Sequence, residues 1–293
     1  MNASFGIDHP LLATHDIDAL RARLIALGFN MTAVGKHPWG TSTSLAMFNG
    51  CLIEIMGISD DTLLDQVPAG DFRFGRHVYD HLQQREGVAL SALHSTGSAV
   101  DAARAQDVGF TIAGHLEFGR DVTLPDGSTG RTKTTLALMP DAEFPRLSLF
   151  LCQQHRPELI YVPEWLQHPN QVTGICGVTI LADDDTHDAL RKRFSGLYGE
   201  ANELQGGFQF QTANGVLRVL NDGGFETQIG PIPDALHDEH QPCIAAMDLA
   251  MPDPAQMYRF LQQSGLAFTP CDGGYALTQP ELTANTILRF LMV

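Results

Sequence analysis

The sequence predicts an α+β fold of four βαβββ modules, paired into two halves whose mixed β-sheets curve into cups. Three observations carry this. Strand-like apolar segments are each followed by an amphipathic helix that stops at glycine, and the unit recurs at nearly constant length. A polar stretch bearing Pro157, Pro163 and Pro169, from Gln153 to Asn170, separates the second copy from the third.

The first module opens with the strand Gly6 to Thr14. The helix that follows has Asp16 as a natural N-cap and Ile17, Leu20, Leu24 and Leu27 at helical spacing, and Gly28 supplies the left-handed residue that ends it. The second module repeats this as Gly87 to Leu93, a helix through Val100 and Arg104, and Gly109; Gly6 to Gly28 and Gly87 to Gly109 are both separations of 22 residues. The third runs Gly174 to Leu181, Asp183 to Asp185 as caps, and a helix bearing Leu190, Phe194 and Leu197 up to Gly199. The fourth runs Cys243 to Leu249, then a helix from Asp253 through Met257, Phe260 and Leu261 to Gly265. Further short strands follow each helix: Thr43 to Phe48 and Cys51 to Ile58, Lys133 to Met139 and Leu147 to Cys152, Phe208 to Thr212 and Val216 to Leu220, Tyr275 to Leu277 and Thr286 to Met292. One such unit cannot bury its apolar sheet face alone, so module one is expected to pair with two and three with four, sheet against sheet. The expected domains are residues 1–158 and 170–293, with irregular insertions at Ser59 to Gln84 and Phe225 to Gln241.

The 293 residues carry 18 basic and 34 acidic side chains, a net charge of −16, which repels nucleic acid and anionic membrane and leaves a small molecule as the expected partner. Met1 to His9 holds no basic segment followed by an apolar run, and no apolar run is long enough to span a bilayer, so a cytoplasmic location is expected. Cys51, Cys152, Cys176, Cys243 and Cys271 form no CxxC pair and read as reduced core thiols.

The run Ile7-Asp8-His9-Pro10-Leu11-Leu12-Ala13, the loop Gly35-Lys36-His37-Pro38-Trp39-Gly40-Thr41 and the strand Cys51-Leu52-Ile53-Glu54-Ile55 together resemble the glyoxalase-like domain of the vicinal-oxygen-chelate superfamily. The segment Phe150 to Leu159, followed by His168-Pro169-Asn170, is similar to the connector of its larger members. The family's Gly-Thr-x-Asn reads Gly40-Thr41-Ser42-Thr43 here. The resemblance implies a site in the cup, with ligands on the first and last strands of each module. It also implies a divalent metal (zinc, iron, manganese, nickel or magnesium) bound to two vicinal substrate oxygens. Lyase, isomerase, dioxygenase and resistance activities all use such a site, so the fold does not choose among them.

Glu54 interrupts an apolar strand on the face of Leu52 and Met56, where a carboxylate needs a wet cavity, a ligand or an arginine partner. His9 and Glu54 are the candidate metal ligands, Glu54 alternatively being a base. His37 is a candidate catalytic residue or a loop anchor. Trp39, Thr41 and Phe48, with Gln154 and His155, are the candidate pocket residues. The second module should supply further ligands, but Leu90 stands where His9 stands in the first; His94 and the run Gln153-Gln154-His155 are the nearby donors, and His168 lines the cup or caps the linker. A ring-cleaving dioxygenase would place its triad in the second half, where Cys176, Gly177, Ala245, Ala246 and Arg289 offer none. That half is expected to serve stability or homodimerisation. The leading expectation is a metal-dependent lyase or isomerase; the alternatives are a metal-free binding, sequestering or resistance protein using the same cup, and a ring-cleaving dioxygenase with a rearranged site.

Overall fold

The computed structural model describes residues 5–237 and 241–293. Residues 1–4 of the first expected domain and 238–240 of the second expected insertion lie outside the described residues. The first module comprises β1 (Ile7–Ala13), α1 (Ile17–Ala26), β2 (Gly35–Lys36), β3 (Thr41–Phe48) and β4 (Cys51–Ile58). An insertion adds β5 (Pro68–Ala69), β6 (Phe72–Arg73) and α2 (Phe74–Leu82). The second module is β7 (Gly87–Ser95), α3 (Ser98–Asp107), β8 (Gly114–Phe118), a hairpin of β9 (Asp121–Thr123) and β10 (Thr129–Arg131), then β11 (Thr134–Met139) and β12 (Leu149–Gln154). The third is β13 (Gly174–Leu181), α4 (His187–Tyr198), β14 (Asn202–Leu204), β15 (Gly207–Gln211) and β16 (Val216–Leu220), followed by the inserted α5 (Asp222–Gln228). The fourth is β17 (Cys243–Met251), α6 (Pro254–Ser264), β18 (Phe268–Cys271), β19 (Gly274–Leu277) and β20 (Ile287–Met292).

All four module helices end at the glycines read from the sequence, Gly28, Gly109, Gly199 and Gly265, each at positive φ. Asp16 and Asp253 cap α1 and α6 by accepting backbone N–H groups. Asp183 to Asp185 do not cap α4; a 3₁₀ turn over Asp184–Thr186 intervenes and Thr186 precedes the helix without a side-chain cap.

The modules pair as expected but join edge to edge. β1 runs antiparallel to β7, and β13 to β17, so each half is one eight-stranded sheet in the orders β2-β3-β4-β1-β7-β12-β11-β8 and β14-β15-β16-β13-β17-β20-β19-β18. Strand alternation sorts each sheet into two faces. Ile53, Ile55, Leu149 and Leu151 of the first sheet and Val178, Ile180 and Phe290 of the second share one core with α1, α3, α4 and α6, which welds the halves together. The opposite faces are the cups.

Both insertions are more ordered than the sequence suggests. In the first, Phe74, Val78 and Leu82 of α2 pack on Leu11, Ala13, Leu90 and Phe150 and close one end of the N-terminal cup. In the second, Phe225, Ile229, Ile232 and Leu236 pack on Leu181, Leu220 and Ala246, filling the C-terminal cup. Arg289 fixes that plug by donating from Nη1 to the Gln228 carbonyl at the end of α5 (2.7 Å). It also pairs with buried Asp248, which Arg218 holds from the other side: Arg289 Nε lies 2.9 Å from Oδ1, an ion pair out of hydrogen-bond alignment, and Arg218 Nη1 lies 2.6 Å from Oδ2. Asp248→Ala leaves two arginines facing one another in a buried site. It should cost about 3–5 kcal/mol in urea unfolding; an unchanged midpoint would show that the cluster does not support the C-terminal half.

Candidate functional site

The open part of the N-terminal cup is a cavity of about 640 Å³. Trp39, Phe74, Phe118 and Phe150 supply aromatic walls, Leu45, Met47, Leu52 and Met56 an aliphatic one, and His9, His37, Glu54, Arg120 and Gln154 the polar groups.

His9 and Glu54 reach this space from neighbouring parallel strands, Leu11 of β1 lying in register with Glu54 of β4. On a regular strand Asp8 would face away from His9. The register of β1 on β7 instead slips between Ile7 and His9, a bulge at Asp8 that turns its carboxylate onto the His9 ring. His9 Nδ1 then lies 2.6 Å from Asp8 Oδ1, and His9 Nε2 lies 3.0 Å from Glu54 Oε2. Carboxylate oxygens only accept, so a ring with a carboxylate at each nitrogen is favoured as the imidazolium. Burial opposes that charge, but the two carboxylates override it and raise the His9 pKa to about 9. Glu54 is likewise opposed by burial, yet His9, His37 and the Thr43 hydroxyl, which donates to Oε1 at 2.6 Å, lower it to about 2. Thr43 holds the place of the asparagine in the family motif. Asp8 also meets His94 Nδ1 at 3.2 Å, and its carboxyl lies below its ordinary value because, against burial, both histidines hold its anion.

A second polar group lies at the other wall. Arg120 Nη2 donates to His37 Nε2 (2.5 Å), so the remaining His37 proton sits on Nδ1 and donates to Thr41 Oγ1 (2.9 Å). Burial and the neighbouring guanidinium depress His37 to about 3, and it stays neutral. Its ring stacks on Trp39 with centroids 4.7 Å apart.

Of the residues singled out in the sequence, His9, His37, Trp39, Glu54 and Gln154 line the cavity. Thr41 stands behind His37 rather than on the wall. Phe48 is corrected: it shares a strand face with Ala46, opposite to Leu45 and Met47, and packs in the core between the halves against Phe29 and His168. His155 is corrected as well; it lies exposed beyond β12 and bonds Thr135. Gln153 caps α3 by accepting from Ser98 N, and His168 clamps the connector, accepting from Asn30 N and donating to the Met47 carbonyl. Asp8, Thr43 and Arg120 were not singled out. Asp8 depends on the bulge, for which the adjacent Pro10 is the sole hint, and Arg120 sits in a loop with no periodic signal.

The donor set does not fit a resident metal. Aligning Gly87 with Gly6 puts Leu90 in the place of His9 and Ala92 in the place of Leu11; Ala92 is in register with Phe150, which therefore holds the place of Glu54. The two positions from which the second module would complete a site are apolar, and the Phe150 ring packs edge-on against His9 (5.5 Å). Among the described residues no group of three or more His, Cys, Asp or Glu side chains is arranged to hold an ion. Catalytic zinc usually takes three protein ligands, and two are present.

Paired βαβββ modules with a ligand cavity in the curl of the sheet define a class, that of the vicinal-oxygen-chelate proteins. A model of the family described as Glyoxalase-like domain matches residues 7–198, and the chain belongs to that family. Its fold is similar to that of a hypothetical protein from Staphylococcus aureus, 12% identical over 98% of this chain and 99% of that one, with a TM-score of 0.68. It is also similar to a mutant 4-hydroxymandelate synthase from Streptomyces coelicolor (14% identity, 100% and 93% covered, TM-score 0.60). A xylose isomerase-like TIM barrel/4-hydroxyphenylpyruvate dioxygenase fusion protein matches at 11% identity over 99% of this chain and 49% of its own length, with a TM-score of 0.61. No curated protein matches the sequence significantly. Among the described residues no helix is long and apolar enough to cross a membrane.

The charged cluster sets a pH dependence of stability. His9, raised from 6.5 to about 9, stabilises fully below about pH 6.5 and loses that contribution as pH rises through 9. Glu54, lowered from 4.5 to about 2, stabilises above about pH 4.5 and loses it as pH falls through 2. Unfolding free energy should therefore drop on the order of 3 kcal/mol between pH 6.5 and 9. His94, a third exposed and also raised, contributes weakly in the same sense. His9→Gln should flatten most of that alkaline limb in pH-resolved denaturant titrations; an unchanged limb would mean that His9 is neutral in the native protein.

Proposed function

We infer that the N-terminal cup binds a small, mainly apolar molecule without a resident metal, as a binding or sequestering protein. The carrying observation is the state of the polar groups. His9 lies between Asp8 and Glu54, both Glu54 oxygens are taken by His9 and Thr43, and His37 Nε2 faces the Arg120 guanidinium, contacts that favour a cationic His9, an anionic Glu54 and a neutral His37. A general acid or base works best with a pKa near the operating pH, and none of the three titrates there. They form a pre-oriented polar patch on an aromatic cavity whose size is ordinary for small-molecule sites, about 300–1,000 Å³. The net charge of −16 disfavours nucleic acid as an alternative occupant. The five unpaired cysteines support a cytoplasmic setting.

A second reading keeps the metal-dependent lyase or isomerase. It is favoured by the convergence of His9 Nε2 and Glu54 Oε2 with Asp8 behind the ring, the usual support for a metal-bound imidazole. An ion bound there would need its remaining ligands from the substrate.

Two measurements separate the readings. Protein purified without tags or added metal should contain substoichiometric zinc, iron, manganese and nickel. Calorimetric binding of a neutral probe, 3-phenylpropanamide, should survive chelator and weaken about tenfold or more in Trp39→Ala. One metal per chain, with binding abolished by chelator, would favour the second reading.

A further inference from the structure

Arg120 is the cation of the cavity that its surroundings leave unpaired. Its Nη2 has only the lone pair of neutral His37, and its Nε is buried without a hydrogen-bond partner. None of the cavity's carboxylates pairs with it: both Glu54 oxygens are taken, by Thr43 and His9, so Glu54 acts on Arg120 only through space, Asp121 pairs with Arg131, and among the described residues no ion pair joins Arg120 to Glu164. The place for the guanidinium is nevertheless built. At Gly35 a Cβ would come within 2.8 Å of Arg120 Nη1, so the guanidinium lies against this glycine and would have to shift to admit a side chain there. The wall beyond is Trp39, Phe118 and Phe74. A guanidinium half withdrawn from water with a neutral acceptor as its nearest partner lacks the compensation that buried charges usually have. A planar carboxylate matches its fork, accepting two N–H bonds at once, and outcompetes an imidazole lone pair for Nη2.

Resting on the reading of the cup as a small-molecule cavity, we propose that its ligand is a monocarboxylate with an apolar body. The carboxylate pairs with Arg120 and displaces His37 Nε2, and the body lies between Trp39, Phe118 and Phe74, pointing toward Phe150. His37 is then the residue that holds the guanidinium in position until the anion arrives.

The test is a matched pair of probes, 3-phenylpropanoate and 3-phenylpropanamide, titrated calorimetrically at neutral pH into the wild type, Arg120→Met and Arg120→Lys, with thermal unfolding as the check on folding. The wild type should prefer the acid by about tenfold or more. Arg120→Met should bind the two alike, near the wild-type affinity for the amide, and Arg120→Lys should recover part of the preference. Equal binding of acid and amide by the wild type overturns the proposal and leaves the cavity reading standing, and that comparison needs no variant to fold. A preference for the acid that persists in Arg120→Met also overturns it, because the anion is then held elsewhere. Binding of neither probe by the wild type contradicts the cavity reading and this proposal with it.

Discussion

The His9 ring lies between Asp8 and Glu54, with each nitrogen on a carboxylate oxygen, and the chemistry of the N-terminal cup depends on that contact. Two carboxylates and a ring, all nearly removed from water, are stable together only if the ring keeps both protons. Holding them requires the bulge at Asp8, the parallel register that sets Leu11 against Glu54, and the Thr43 hydroxyl on the free Glu54 oxygen. Move β1 by one residue and every partner turns to the opposite face.

The C-terminal half meets the same geometry with other side chains. Aligning Gly174 with Gly6 puts the bulged Cys176 in the place of Asp8 and Gly177 in the place of His9. Thr179, in the place of Leu11, is in register with Arg218, which takes the position of Glu54; Asp248 lies opposite Gly177 and reaches into the space that a side chain there would need. An Arg218–Asp248–Arg289 cluster therefore replaces the histidine-centred one, and Arg289 also anchors the helix that fills the cup. One fold thus holds an open cup with a polar floor and a filled cup with an ionic one, which accounts for a cavity in the N-terminal half.

The architecture was readable because its signals are local and repeated. Glycines that stop helices and strands of fixed parity need no tertiary information, and β4 and β16 match their expected spans of Cys51 to Ile58 and Val216 to Leu220. Glu54 and His9 stood out because charge in an apolar strand needs a reason. What was hidden depends on breaks in regularity or on distance. Phe48 was a candidate for the pocket wall, but its parity with Ala46 turns it to the core. Asp8 joins His9 through a bulge that alternation excludes. Arg120 meets His37 across 83 residues of chain. The inserted helices were read as irregular insertions, although Phe74, Val78 and Leu82 have helical spacing.

We infer that a proton, rather than a metal ion, occupies the space between His9 and Glu54, and the ring nitrogens of His9 report on it directly. Nitrogen-15 NMR of histidine-labelled protein, with His9→Gln for assignment, should show both His9 nitrogens protonated at pH 7 and unchanged by chelator. A neutral His9 ring at that pH, or nitrogen shifts that move when chelator removes a bound ion, would contradict the account.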